Sequence, residues 1–182
     1  MSSKLAKCVT YVLDAAALFA SYQLMLPHDV RVVTTPLIIE EVKDEASKES
    51  IGLSLSAGKL SIVDVDDDLM REAVRVAEEL GEVGKLSRAD LSLIALMIKY
   101  LREGCSVILV TDDYSIQNVA TYLNIYVLGV KRRVIEKVIK YLWVCESCGY
   151  RGEFDEFCPV CGGRMVRRPS RVKGVDGPTQ RA

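Results

Sequence analysis

Five short runs of apolar and β-branched residues punctuate the chain, at Cys8 to Leu13, Arg31 to Thr34, Ser61 to Val65, Ser106 to Val110 and Ile125 to Val130. The stretches between them mostly repeat their apolar positions with helical period. Strands alternating with helices predict an α/β fold with a parallel sheet flanked by helices. Local signals mark where the helices begin and end. Pro36 after Thr35 reads as a helix start with proline at its first position, Ser87 reads as an N-cap, and Gly81 with Gly84 ends the helix before it. Lys131 to Leu142 is basic and apolar and fits a linking strand or a helix equally well. Beyond Arg164 apolar periodicity is lost, which predicts a flexible basic tail. The expected organisation is an α/β domain over residues 1–130, a linker over 131–142, a small cysteine-rich module over 143–166 and the tail over 167–182.

Composition supports one cored domain with an appendage: 182 residues, 49% hydrophobic. No run approaches the roughly 18 apolar residues of a membrane helix, so no membrane partner is expected. The start of the chain superficially resembles a signal peptide, but Asp14 interrupts its apolar run. Four of the six cysteines fall within residues 145–161, the pattern of a metal site in a reducing, cytoplasmic setting rather than of a disulfide framework. Cys8 and Cys105 lie in apolar runs and read as inert core residues. Charge is unevenly divided. Residues 1–130 hold 12 Lys/Arg against 19 Asp/Glu, and residues 131–182 hold 12 against 6. An acidic half beside a basic one suits a protein that gathers cations with the first and a polyanion with the second.

In an open α/β sheet, functional groups collect where strands end and helices begin. Asp14 follows the first strand, and Asp112 with Asp113 follow the fourth. Each has helix capping as its simpler explanation. Glu41 says more: at 100° per residue from Pro36 it shares the apolar arc of Leu37, Ile38 and Val42, where a carboxylate is costly unless it has a partner. Glu45 shares that arc one turn later and is a weaker candidate. On the helix after Ser87 the less apolar strip runs through Ser92, Ala95 and Lys99, which places Asp90 on the opposite, inward side. Its simpler role is a capping box with Ser87, which is compatible with aiming the carboxylate at a metal. Converging, these acids would repel one another and favour Mg²⁺ or Mn²⁺. Such ions acidify an attacking water and neutralise a leaving oxyanion, so phosphodiester hydrolysis needs no His, Ser or Cys nucleophile. The single histidine, His28, reads as a loop residue.

CESCG and CPVCG present Cys145, Cys148, Cys158 and Cys161 as two knuckles able to enclose a metal tetrahedrally. A four-thiolate site leaves no place for water, so its role is structural; zinc is expected, with iron the alternative. Lys131, Arg132, Arg133, Arg151, Arg164, Arg167 and Arg168 enrich the surroundings in phosphate-binding groups. Tyr150, Phe154 and Phe157 could stack on bases or fill the ribbon's own small core.

YVLDAAALF, TTPLIIEEVKDEAS, LSRADLSLIAL and LVTDDYSIQNVA, followed by a four-cysteine ribbon, resemble the PIN-domain nucleases. More narrowly, they resemble the Nin-one-binding family of ribosome-assembly endonucleases, over residues 9–165 and in a compact form like the archaeal members. The resemblance implies a PIN-like sheet followed by a zinc ribbon. It implies Asp14, Glu41, Asp90 and Asp112 as metal ligands, with Asp113 as a fifth catalytic acid. It further implies a cytoplasmic endoribonuclease that cuts precursor small-subunit ribosomal RNA at its mature 3′ end, leaving a 5′-phosphate and a 3′-hydroxyl. Pre-ribosomal particles, assembly proteins and a homo-oligomer are the implied partners. Two other readings compete. A toxin-like PIN ribonuclease would lack the ribbon, and a catalytically silent assembly factor would have no reason to keep several inward-facing carboxylates.

Overall fold

The computed structural model describes residues 8–152 and 156–170. Five parallel strands, β1 (Val9–Leu13), β2 (Arg31–Thr34), β3 (Ser61–Ile62), β4 (Ser106–Val110) and β5 (Tyr126–Leu128), form one sheet in the order β3-β2-β1-β4-β5. Every apolar run expected as a strand is one, although the third shortens to two residues and the fifth to three. The central pair β1 and β4 runs in full register from Val9 opposite Ser106 to Leu13 opposite Val110, so Asp14 and Thr111 emerge side by side at the carboxyl edge.

Among the described residues six α-helices connect and cover the sheet: α1 (Ala15–Phe19), α2 (Pro36–Glu41), α3 (Glu45–Ser56), α4 (Asp67–Glu79), α5 (Arg88–Arg102) and α6 (Tyr114–Tyr122). Thr35 caps α2 through its hydroxyl, with Pro36 at the first turn as expected. Helix α4 ends before Gly81, whose φ of +66° is a left-handed turn that glycine adopts without strain. Helix α5 corrects the expected outward strip. Ser92 and Ala95 are buried together with Leu93, Ile94, Leu96 and Met97, so nearly the whole circumference lies inside. Each of those four large side chains contributes about 1.5–3 kcal/mol of burial. The Ser92 hydroxyl is satisfied in that apolar setting by donating to Ala89 O and by a 2.7 Å bond with the Thr35 hydroxyl.

Register also corrects the reading of the two lone cysteines. Cys8 and Cys105 precede β1 and β4 by one residue each, so the strand pairing sets them opposite one another, and they form a disulfide. No described helix is long and apolar enough to cross a membrane.

The second sheet is antiparallel, in the order β7-β6-β8, from β6 (Lys140–Cys145), β7 (Arg151–Gly152) and β8 (Met165–Ser170). Its first strand starts inside the expected linker, and β8 takes up Arg167 and Arg168, which the sequence placed in a flexible tail. Pairing with β6, from Lys140 opposite Ser170 to Cys145 opposite Met165, holds them there. Residues 171–182 of the expected tail, and Phe154, lie outside the described residues.

Candidate active site and metal centre

Asp14 stands at the carboxyl edge of the sheet as the N-cap of α1, and is only 7% exposed. One carboxylate oxygen accepts from the Ala15 amide at 2.6 Å, the other from the Thr111 hydroxyl at 2.6 Å. The same hydroxyl accepts from the Asp113 amide at 3.0 Å, so Thr111 ties together the acids that follow β1 and β4. Burial pushes the Asp14 carboxyl above its ordinary range; the Thr111 and Ala15 bonds oppose that, and the charges of Asp90 and Asp113 add to it.

Glu41 is the last residue of α2 and is exposed rather than core-facing, because the helix stops there and Val42 takes the buried position. It nevertheless belongs with Asp14. Desolvation, then Asp90 and Asp14, raise its carboxyl. Asp90 forms the expected capping box, accepting from the Ser87 amide at 2.7 Å while the Ser87 hydroxyl accepts from the Asp90 amide at 3.1 Å. Capping does not take it out of the cluster, since both Asp14 and Glu41 register its charge. Asp113 caps α6, accepting from the Ser115 and Ile116 amides at 2.7 and 3.1 Å. Asp90 and Asp113 act on Asp14, and Asp90 and Asp14 act on Glu41, so the four acids neighbour one another through Asp14. None of the ion pairs among the described residues uses any of them.

Asp112 behaves differently. Its carboxylate accepts from the backbone amides of Val130, Lys131 and Arg132 at 2.8 to 3.1 Å, in the turn that follows β5. Those amides and the Arg132 charge outweigh the desolvation that would raise its carboxyl, and hold it below the usual aspartate range. Asp113, by contrast, is among the charges that raise the Asp14 carboxyl. Glu45 also falls outside the cluster, paired in solvent with Lys48 at 3.0 Å, and His28 is an exposed loop residue.

Sequence reasoning missed Thr111, Thr35 and Ser92, the hydroxyls that orient the acid-bearing elements. Thr111 carried a signal in hindsight: a threonine ending an apolar strand, directly before two aspartates, must place its hydroxyl somewhere buried.

The four ribbon cysteines are unpaired by disulfide, and their sulfurs all lie within 4.8 Å of one another, the one group of metal-ligating side chains drawn so close among the described residues. Separations of 3.5 Å (Cys145 to Cys161) and 3.7 Å (Cys148 to Cys158) are near the roughly 3.8 Å edge of a tetrahedron with 2.3 Å metal–sulfur bonds. Gly163 helps to make the cradle: a Cβ there would sit 3.1 Å from the Cys145 sulfur and 2.6 Å from the Ser147 hydroxyl. The backbone amide of Cys148, with that of Ser147 and the neighbouring thiols, lowers the pKa of the Cys145 thiol, and the neighbouring thiols raise that of Cys161. The donor set fits a tetrahedral soft-ligand metal.

Among the described residues no group of carboxylates is gathered as closely as the thiolates, so a hard divalent ion at these acids would be held by one or two carboxylates and several waters rather than by an all-protein cage.

A family model described as the PIN domain of ribonuclease matches residues 11–100. Endoribonuclease Nob1 of Archaeoglobus fulgidus is 37% identical over 171 residues, covering 92% of this chain and 95% of the relative. The chain belongs to the Nob1 endoribonuclease family. Nob1 of Pyrococcus abyssi is 35% identical across 80% of the chain and 88% of its own length. Ribonuclease VapC3 of Aeropyrum pernix, at 34% identity, matches only 67% of the chain, against 92% for the Archaeoglobus Nob1.

In this Nob1-family chain the cations expected at an RNA surface divide into two kinds. Lys131, Arg132, Arg133, Arg151, Arg164 and Arg168 are exposed. Arg167 is not available in the same way: its guanidinium lies 3.3 Å from the centre of the Tyr141 ring, donates to Gly81 O at 2.9 Å and pairs with Glu82. It fastens the ribbon to the nuclease domain. Tyr150 and Phe157 are exposed, and the ribbon's small core is made instead by Cys145, Cys158 and Met165 with Trp143 against them.

Proposed function

We propose that this metal-dependent endoribonuclease cleaves precursor small-subunit ribosomal RNA at its mature 3′ end, within a cytoplasmic pre-ribosomal particle. The observation that carries the reading is the convergence of Asp14, Glu41, Asp90 and Asp113 at the sheet edge, in a chain similar to an archaeal Nob1 over nearly its whole length.

Mg²⁺ or Mn²⁺ bound to these carboxylates would supply a more acidic water and neutralise charge on the departing oxygen. The chain's residues prepare for this. Thr111 holds the Asp14 oxygen, the α1 amide of Ala15 fixes the other, and the capping bonds of Asp90 and Asp113 set their rotamers before substrate arrives. Glu41 and Asp113, the exposed members of the set, are positioned to meet solvent and RNA, and buried Asp14 anchors the cluster. Water attack on phosphorus with cleavage of the P–O3′ bond, the O3′ oxygen leaving and taking up a proton, would give a 5′-phosphate and a 3′-hydroxyl. Zn²⁺ on Cys145, Cys148, Cys158 and Cys161 would set the ribbon's fold, and its exposed arginines would hold RNA.

The test incubates wild type and Asp113→Asn with labelled RNA spanning the 3′ end of small-subunit ribosomal RNA, in Mn²⁺, in Mg²⁺ and in EDTA. Cutting at the mature end by wild type alone, only with metal, is the expected result. Scattered cutting of unrelated RNAs would instead fit a toxin-like ribonuclease, and binding without cutting under every metal a silent assembly factor.

A further inference from the structure

Asp112 is engaged apart from the other acids. Its carboxylate is engaged by three consecutive backbone amides, of Val130, Lys131 and Arg132, an arrangement in which a short turn wraps its N–H groups around one anion. The turn has no slack. A Cβ at Gly129 would meet Arg132 O at 2.1 Å and lie 3.5 Å from the Asp112 oxygen, so only glycine lets the chain close around the carboxylate. Three charge-assisted bonds to one carboxylate fix the local backbone far more strongly than a solvated loop requires.

This turn presents Lys131, Arg132 and Arg133, all exposed. It also lies beside the acid cluster. Strands β4 and β5 end in register, Val110 opposite Leu128, and the Thr111 amide donates to Leu128 O at 3.0 Å. The residues after Leu128 therefore leave the sheet next to Thr111, whose hydroxyl holds Asp14. Asp112 and Asp113 diverge from this point, the first toward the turn and the second toward the acids. A cluster of four carboxylates repels the phosphates of the strand it must cut, so cations fixed at its rim answer a need that the acids create.

We propose that Asp112 is a positioning residue: it folds residues 129–132 around its carboxylate and so holds Lys131, Arg132 and Arg133 as a phosphate-binding arm that seats the RNA backbone beside the acid cluster. The inference rests on the ribonuclease reading and adds to it the residue that sets the arm.

The full chain serves as the test, with the same labelled RNA, as wild type, Asp112→Ala, Asp112→Asn and the triple variant Lys131→Ala/Arg132→Ala/Arg133→Ala. Binding is followed by anisotropy in EDTA across a salt series, and cleavage by single turnovers in Mn²⁺ at rising enzyme concentration. Asp112→Ala should raise the half-saturating concentration at least tenfold while the rate at saturation stays within about threefold. Asp112→Asn, whose amide oxygen still accepts from the turn, should fall between it and wild type. The triple variant should lose about 2 from the slope of log K against log salt, at roughly 0.7 per phosphate contact on a single strand. Adding Asp112→Ala to the triple variant should weaken binding no further.

The proposal is overturned if Asp112→Ala abolishes cleavage at saturation with binding unchanged, which would make Asp112 a metal ligand. It is equally overturned if the triple variant binds like wild type; because its changes are on exposed side chains, that result decides even should Asp112→Ala fail to fold. A wild type that binds but never cuts defeats the nuclease reading alone, leaving the arm to be judged by binding. One that does not bind defeats both.

Discussion

Arg167 in β8 and Glu82 after α4, 85 residues apart in sequence, form an ion pair at the seam between the ribbon and the nuclease domain. Glu82 is 2% exposed. Its other oxygen accepts from the Asn118 side chain at 2.7 Å, and Asn118 in turn exchanges two hydrogen bonds with the backbone of Ile139, at 2.6 and 2.8 Å. The Tyr141 amide donates to Leu80 O at 2.9 Å, and a Cβ at Gly81 would strike Tyr141 O at 2.5 Å. Helix α6, the α4 exit and both long ribbon strands therefore meet at one buried carboxylate.

Removing the cation from that seam should be costly, because a buried carboxylate that loses its partner has neither water nor charge to replace it. Arg167→Ala is expected to destabilise the protein by about 3–5 kcal/mol. Combining it with Glu82→Gln should recover part of the loss, since an amide can still accept from Asn118. Urea unfolding of the two variants measures both; a loss under about 1 kcal/mol for Arg167→Ala would mean that the pair does not hold the seam.

The raised carboxyl of Asp14 carries a definite pH dependence. A group whose folded pKa lies above its unfolded one favours the folded state below the unfolded value, and that advantage disappears as pH rises through the folded value. Asp14 is raised by burial and by its acidic neighbours, so at neutral pH its charge works against the metal-free fold. Asp14→Asn should therefore raise the melting temperature of metal-free protein at pH 7, by about 2–4 °C for each kcal/mol gained. The difference should shrink as pH falls through the raised range. Parallel thermal melts from pH 7 into the acid range check it, and a lower melting temperature for the variant at pH 7 would contradict it.

The chain's one tryptophan, Trp143, packs on the ribbon core and gives a local signal for the cysteine site. Zinc chelation, or Cys158→Ser, should shift Trp143 emission and weaken RNA binding while the parallel sheet stays folded. Circular dichroism during chelation separates the two domains: collapse of all helical signal with the metal would refute this division.

Reducing the Cys8–Cys105 disulfide should lower stability, since the bond closes a loop with a sequence separation of 97. The expected loss is about 2–4 kcal/mol, with Cys8→Ala/Cys105→Ala behaving like the reduced wild type. Denaturation with and without reductant tests it, and a reductant effect that persists in the double variant would assign the loss elsewhere.

Elements whose causes are local were legible in the sequence. Apolar runs fixed the strands, Thr35–Pro36 and Ser87 marked helix starts, and the cysteine knuckles announced their site. What escaped depended on register or on a turn closing at a distance. Cys8 meets Cys105 only because β1 and β4 are neighbours in parallel register, and Arg167 reaches Glu82 only because β8 pairs with β6. Asp112 and Asp113 are equivalent by pattern; what separates them is a turn of the chain near residue 130, visible only once β5 is placed beside β4. Ser92 looked outward because its polarity was taken as a sign of solvent, whereas a hydroxyl facing it from Thr35 satisfied it inside.

The bond between Cys8 and Cys105 has a topological consequence as well. It closes a ring that contains β1, β2, β3 and the helices through α5. A machine that draws the chain in from its amino end thus meets, at Cys8, both arms of the ring and the chain beyond Cys105 together, and its pore must pass three segments abreast until the bond is reduced. Drawn in from the carboxyl end, the same protein delivers β5 and β4 singly, and the crowding is met only at Cys105.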